Sequence, residues 1–286
     1  MLTARRTGNT MGAEVTGADL SQPMDAAMFE RILALFLEHK VLVFRGQRLT
    51  APQFLDWARR FGRPEPHVLD QFHHPDLPDI LVLSNVVKDG KPMGLADGGT
   101  YWHSDYSYLE IPARATTLFS IQVPKVGGDT LFADQVSAYE DLPEAMKKRI
   151  DGLVAIHHYG NRDDMDPVSR TKAYPPDERQ KAERGIGFLH HPLVRRHPLT
   201  GRKGLYAVSG TSIGIVGMPD DEALALLRGL ATHSTQPKYQ FAVRYGAGDV
   251  VIWDNAAVLH SATLTDPNDA RTLWRVTVKE KERPVA

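Results

Sequence analysis

The chain has 286 residues, with 34 basic and 35 acidic side chains and a formal net charge of −1, so no charge excess points to nucleic acid or an anionic membrane as a partner. Hydrophobic residues make up 42% of the chain, enough for a sizeable core, and cysteine is absent, which excludes disulfides and thiolate metal sites. Any bound metal must therefore use His, Asp, Glu or carbonyl oxygen.

Met1 to Arg6 lead into no long apolar run, which reads against a secretory signal. No stretch approaches the roughly 18 consecutive apolar residues of a membrane helix. A cytoplasmic protein with a single domain over residues 1–286 is expected. Asp25 to His39 reads as an amphipathic helix, with Phe29, Ile32, Leu33 and Phe36 at helical spacing. Val41 to Phe44 is a short buried strand closed by Arg45 and Gly46. Thr50 to Phe61 is a second helix, with a capping box from Thr50 and Gln53, Pro52 in its first turn and Gly62 as its C-terminal cap.

Beyond residue 64 the pattern becomes short strands punctuated by Gly, Pro and Asp. Ile80 to Leu83 is a strand, and residues 87–100 read as a mobile loop. Ala115 to Val123 is a strand, Val126 to Asp129 a turn, and Thr130 to Ala133 is extended again. Ser137 to Ile150 reads as a helix with Ser137 and Glu140 as its capping box. Asp163 to Gly185 is polar and proline-containing, and a second mobile loop or lid is expected near 160–190. Short strands resume over 192–208. Pro219 to Leu230 is a helix carrying Leu224, Leu227 and Leu230, and Phe241 to Tyr245, Val250 to Trp253 and Thr272 to Val278 are the last strands. Many short strands with few helices predict a mainly β fold with helical insertions, a sandwich or jelly roll.

The chemistry concentrates in Tyr101-Trp102-His103-Ser104-Asp105 and the distant His260. Two imidazoles and a carboxylate form the set that leaves open positions on non-haem Fe(II). A His-x-acid pair is cheap: about 1.5 arise by chance in this composition, and His74-Pro75-Asp76 is read as one such accident. His103 and Asp105 sit in an aromatic, strand-like run, where residues two apart face the same side. A lone histidine after an apolar strand, as at His260, is more often a packed core residue. Arg271, after Asp-Pro-Asn-Asp, reads by itself as a surface ion-pair residue. Arg275 lies in an apolar strand, and a buried arginine there needs an anion. Arg195 and Arg196 read as solvated loop residues.

Five pieces in order resemble the taurine/2,4-dichlorophenoxyacetate dioxygenase family of Fe(II)- and 2-oxoglutarate-dependent oxygenases. They are Val41 through Gly46, Trp102 through Asp105, Gly127 through Thr130, Trp253-Asp254-Asn255 through His260, and Arg271 through Arg275. The resemblance implies a double-stranded β-helix (a cupin-like jelly roll) and Fe(II), 2-oxoglutarate and O2 as cofactor and co-substrates. It implies His103, Asp105 and His260 as the metal ligands and catalytic centre. It also implies Arg271 and Thr130 at the distal carboxylate of 2-oxoglutarate, and Arg275 at an acidic group of a small anionic substrate. His67, Asn85 and the backbone N–H of Tyr106 are further candidates for the substrate pocket, and Trp253 is expected to pack near the metal. Similar enzymes are often dimers or tetramers, so a homo-oligomer is expected. Val208 through Ser212 lacks the bulky aromatic that taurine enzymes tend to show after the glycine, which points the pocket away from taurine. Two alternatives stand beside the oxygenase: a Zn(II) hydrolase, since zinc accepts the same ligands, and a binding protein for a small organic acid.

Overall fold

The computed structural model describes residues 1–96, 98–159 and 177–286. It is mainly β with helical insertions, as the strand punctuation predicts. A seven-stranded sheet runs in the order Thr3–Arg6, Ala13–Thr16, Val41–Phe44, Val250–Asp254, Ala113–Gln122, Thr272–Lys279 and Leu81–Ser84. Its neighbours are antiparallel, apart from the parallel contact of Ala13–Thr16 with Val41–Phe44. A three-stranded sheet, Gln240–Val243, Thr130–Asp134 and Val258–Ala262, lies across one face of it.

Val41–Phe44 and residues 250–253 are apolar at every position because both of their faces are covered. Leu42, Phe44, Val250 and Ile252 pack outward with Ile32, Phe36, Phe54 and Trp57 from the helices Ala26–His39 and Ala51–Arg59. Val41, Val43, Val251 and Trp253, one step out of phase, point the other way and meet Phe132, Val243 and Val258 of the smaller sheet. The outer face of that sheet carries Ala133 and Leu259, packed with Leu227 and Leu230 of the helix Asp220–Ser234. His260 shares the period-two face of Val258 and therefore points between the two sheets.

Several expectations are corrected. The second helix has its Thr50–Gln53 capping box but ends at Arg59. Gly62 is not its left-handed cap; a Cβ there would lie 3.0 Å from the carbonyl oxygen of Lys279, so glycine serves the approach to the last strand. The helix expected from Ser137 is two helices, Gln135–Glu140 and Glu144–Ile150, separated at Pro143. Its cap is Asp134, which accepts from the N–H groups of Val136 and Ser137 at 3.1 Å each. In the helix Asp220–Ser234 the buried stripe runs through Ala223, Leu226, Leu227 and Leu230, while Leu224 is half-buried.

Residues 87–100, expected as a loop, include paired backbone. They hold a small hairpin, Val87–Lys88 with Lys91–Pro92, and Leu95 is buried with its N–H 2.9 Å from the carbonyl of Val82. Most of the expected lid, residues 160–176, lies outside the described residues, as does Asp97. Its last part is a helix, Glu178–Arg184, started by a capping box between Asp177 and Gln180. Arg195 is also not solvated. It is 1% exposed and donates to both carboxylate oxygens of Glu280, at 2.8 and 2.9 Å. In the strand Val194–Arg196, Val194 and Arg195 are buried while Arg196 is exposed.

Among the described residues no helix is long and apolar enough to cross a membrane.

Candidate metal and anion site

His103 and Asp105 do not sit on a regular strand. His103 makes an isolated bridge to His260, with each backbone N–H donating to the other's carbonyl at 3.0 and 2.8 Å. The chain then turns, so Asp105 reaches the same space by a different route from the period-two geometry expected of a strand. The three side chains are buried, and one ligand atom from each lies within 4.8 Å of the others. Asp105 Oδ1 is 3.8 Å from His103 Nε2, and Asp105 Oδ2 is 3.6 Å from His260 Nε2.

The donor set suits a divalent metal. His103 Nδ1 is 2.7 Å from the carbonyl oxygen of Tyr101. A carbonyl only accepts, so Nδ1 carries a proton, and Nε2 is the ring nitrogen that faces Asp105. Burial holds the imidazole of His260 well below its ordinary pKa, helped by the neighbouring His103, so it stays neutral and able to ligate. Burial alone would raise the carboxyl of Asp105. Arg275, then His260, His103 and the hydroxyl of Thr116 outweigh it and hold that group below the usual carboxylate range. The centre thus brings two imidazoles and one carboxylate together, with their ligand atoms converging on one space. Gly99 closes against it: a Cβ there would come within 2.7 Å of the ring of His103, and its φ of +76° also favours glycine. Trp253 packs 4.7 Å from the ring of His260, as the sequence suggests.

Arg275 is the cation nearest the triad in this network, with Nη1 3.5 Å from Asp105 Oδ1. Burial disfavours its charge, but Asp105 and then Tyr106 more than compensate, so it remains a guanidinium. Tyr106 is buried with its ring 6.0 Å from that guanidinium, and its φ of +54° sets the turn after Asp105. The side chain of Tyr106, and not only its backbone, therefore belongs to the Arg275 environment. Burial, partly offset by Arg275, pushes the Tyr106 phenol up to about 12.

Arg271 belongs to a second cluster. Its Nη2 donates to the carbonyl of Gly128 at 3.1 Å. A Cβ at Gly128 would fall 2.8 Å from the Nε of Arg271, so only glycine lets the guanidinium lie against this backbone. Thr130 Oγ1 is 2.8 Å from the hydroxyl of Tyr245. Burial pushes the Tyr245 phenol up to about 12, so it remains a hydrogen-bonding hydroxyl beside Arg271. Strand register links the clusters: His260 pairs with Phe132, and Ala262 pairs with Thr130 two residues along.

The remaining candidates are Asn85 and His67. Asn85 Oδ1 accepts from the N–H of Arg271 at 2.8 Å, and its Nδ2 donates to the carbonyl of Asp269 at 2.9 Å. Its amide therefore braces the segment that carries Arg271. His67 is half-buried, with its ring 6.2 Å from that of Tyr106 and Nδ1 accepting from the N–H of Leu69. Sequence reasoning missed Thr116, Tyr245 and the side-chain role of Asn255. Thr116 and Asn255 are bonded within the site network, and Asn255 was visible only as part of a motif. For Tyr245, the alternation of Phe241, Val243 and Tyr245 was the available signal.

Comparison with known proteins agrees with this geometry. The family model described as "Taurine catabolism dioxygenase TauD, TfdA family" matches residues 3–277. Pentalenolactone F synthase of Streptomyces arenae is 31% identical over 276 residues, covering 94% of this chain and 92% of that protein. An alpha-ketoglutarate-dependent 2,4-dichlorophenoxyacetate dioxygenase of a Burkholderia species is 37% identical over 256 residues, covering 83% and 80%. Among solved structures, that of AAD-2 in complex with Mn(II) and N-oxalylglycine superposes with a TM-score of 0.82 at 28% identity, covering 100% of both chains. These matches set aside the zinc-hydrolase and binding-protein alternatives. A chain that brings two histidines and an aspartate together between two sheets, and matches this family from residue 3 to residue 277, belongs to the taurine catabolism dioxygenase TauD, TfdA family and is an Fe(II)- and 2-oxoglutarate-dependent dioxygenase.

Proposed function

We propose that the enzyme hydroxylates a small organic acid, a carboxylate or sulfonate, within one double-stranded β-helix domain. The observation that carries this reading is the buried guanidinium of Arg275 beside the triad, 3.5 Å from Asp105. A buried cation at that distance serves a substrate whose acidic group must lie next to the metal. The 2,4-dichlorophenoxyacetate dioxygenase relative, named for a carboxylate, supports the same class.

His103, Asp105 and His260 would hold the iron, a set of three ligands that suits a metal which must also take substrates. When bound, iron with 2-oxoglutarate and O2 supplies the oxidation of a substrate C–H bond to C–OH, with succinate and carbon dioxide as co-products. The protein contributes position. Arg271 receives the distal carboxylate of 2-oxoglutarate, and its planar fork matches that group in a bidentate way. Thr130 adds a hydroxyl whose orientation Tyr245 controls through their 2.8 Å hydrogen bond. Arg275 orients the substrate acid, with Tyr106 shielding the guanidinium from water. Asn85 and His67 act at the rim, Asn85 by fixing the backbone of Arg271.

The test is an anaerobic titration of metal-free protein with Fe(II) and then 2-oxoglutarate, followed in the visible spectrum. A charge-transfer band is expected only when both are present. Bound metal without such a band would overturn the reading of 2-oxoglutarate as a chelating co-substrate at this centre. Carboxylates and sulfonates are then screened for perturbation of the band.

Arg275→Ala tests the order of the two arginines. Truncating one partner of a buried charge pair costs about 2–5 kcal/mol, so the Kd of the acidic substrate is expected to rise by about 30-fold or more. The apparent affinity for 2-oxoglutarate should stay within about threefold of wild type, a change of about 0.6 kcal/mol. Loss confined to 2-oxoglutarate would reverse the assignment of Arg271 and Arg275.

A further inference from the structure

Behind the triad lies a closed hydrogen-bond network centred on Asn255, a residue 1% exposed in the turn after the strand Val250–Asp254. Its Oδ1 accepts from the backbone N–H of Asp105 and from Trp253 Nε1, each at 3.2 Å. Both partners are donors only, so the amide orientation is fixed: oxygen faces them and Nδ2 faces away. Nδ2 donates to Thr116 Oγ1 at 2.9 Å, and Thr116 Oγ1 donates to Asp105 Oδ2 at 2.6 Å. The backbone carbonyl of Asn255 accepts from Ser104 Oγ at 2.9 Å.

The direction of the protons is the informative part. A threonine hydroxyl has one proton to give and lone pairs to receive with. Asn255 can only donate to Thr116, so the single proton of Thr116 is left to point at Asp105. Thr277 Oγ1, 3.2 Å away, fits as a second donor to Thr116. The bond to Oδ2 opposes rotation of the carboxylate, and the bond to the backbone N–H fixes the chain that carries it. Its other oxygen, Oδ1, remains turned toward His103 Nε2 and Arg275. Thr116 and Thr277 are 0% and 2% exposed, so water does not replace these bonds.

We propose that Asn255 and Thr116 are positioning residues that lock the rotamer of Asp105, so that the carboxylate is preorganised for the metal before the metal arrives. The proposal rests on the reading of His103, Asp105 and His260 as the metal ligands. It assigns to Asn255 a function in the metal centre beyond packing, although the side chain is not itself a ligand.

The test is Co(II) binding to metal-free protein, followed by visible absorption, with the thermal midpoint of each metal-free variant measured in parallel. Outer partners of metal ligands typically change affinity by about 10- to 100-fold. Thr116→Val keeps the shape and removes the hydroxyl, and is expected to weaken Co(II) by about tenfold. Thr116→Ser restores the hydroxyl and is expected to bind within about twofold of wild type, a change of about 0.4 kcal/mol. Asn255→Ala is expected to weaken Co(II) by about 10- to 100-fold and to broaden its absorption bands. The double variant Asn255→Ala/Thr116→Val should lose less than the product of the two single losses, because both act partly through one bond to Asp105.

Wild-type Co(II) affinity and spectrum in Thr116→Val would overturn the proposal, as would equal losses in Thr116→Val and Thr116→Ser. A lowered thermal midpoint with unchanged Co(II) binding would make both residues structural only and overturn it as well. Failure of the wild-type protein to bind Co(II) at one equivalent would instead remove the metal-site reading itself, which separates the two failures. Should Asn255→Ala not fold, the valine and serine variants of Thr116 decide the matter alone.

Discussion

His103→Ala is expected to abolish iron retention and turnover together. The residue supplies one of only three ligand atoms in the cluster, so its loss leaves a neutral imidazole and one carboxylate. Changing the outer partners of metal ligands already costs about 10- to 100-fold in affinity, and removing a ligand should cost more than about 100-fold on that scale. The fold should survive, because the backbone bridge between His103 and His260 does not use the imidazole. Metal content after reconstitution and dialysis, read beside succinate formation, measures both effects. Iron held at one equivalent, or turnover near wild type, would remove His103 from the centre. His260→Ala should behave alike, whereas His74→Ala, in the chance His-x-acid pair, should leave iron binding unchanged.

Arg271→Ala is expected to separate 2-oxoglutarate from the rest of the site. Its guanidinium lies against the carbonyl of Gly128 and beside the hydroxyl of Tyr245. Removing a buried, hydrogen-bonded charge costs about 2–5 kcal/mol, so the Kd for 2-oxoglutarate should rise by about 30-fold or more. Iron binding should be unchanged, because Arg271 is not among the three residues whose ligand atoms converge. Arg271→Lys should rescue only part of the loss, since an ammonium cannot match a carboxylate in a bidentate way. Titrating 2-oxoglutarate into the anaerobic iron form reads this directly. Unchanged affinity would reassign Arg271 to bracing the loop that Asn85 holds.

The chain itself carried a large part of this. The short continuous apolar runs Val41 to Phe44 and Val250 to Trp253 are local signals, and they placed two strands whose alternate residues serve two cores. The Thr50–Gln53 capping box was equally legible because all its atoms lie within four residues. Composition without cysteine limited the metal chemistry to nitrogen and oxygen ligands, and ordered motifs connected His103, Asp105 and His260 across the chain. Helix ends beyond that box were less legible. Asp134 displaced Ser137 as a cap because tertiary contacts, including a buried ion pair with Lys40 Nζ at 2.5 Å, hold it at the helix start.

Only the tertiary structure decided how the parts meet. Asp105 reaches the centre through a turn and not along a strand, because His103 pairs with His260 from a different sheet position. Arg195 turned from a solvated loop residue into half of a buried ion pair because Glu280, far along the chain, comes to meet it. Tyr245 and Thr116 carry no motif, and Asn255 only shares one; all three matter through partners that folding brings near. A sequence determines which residue types are available and what local geometry they prefer. Hydrogen-bond direction, burial and the shift of each titrating group depend on neighbours distant in the chain, and these exist only once the sheets have closed on one another.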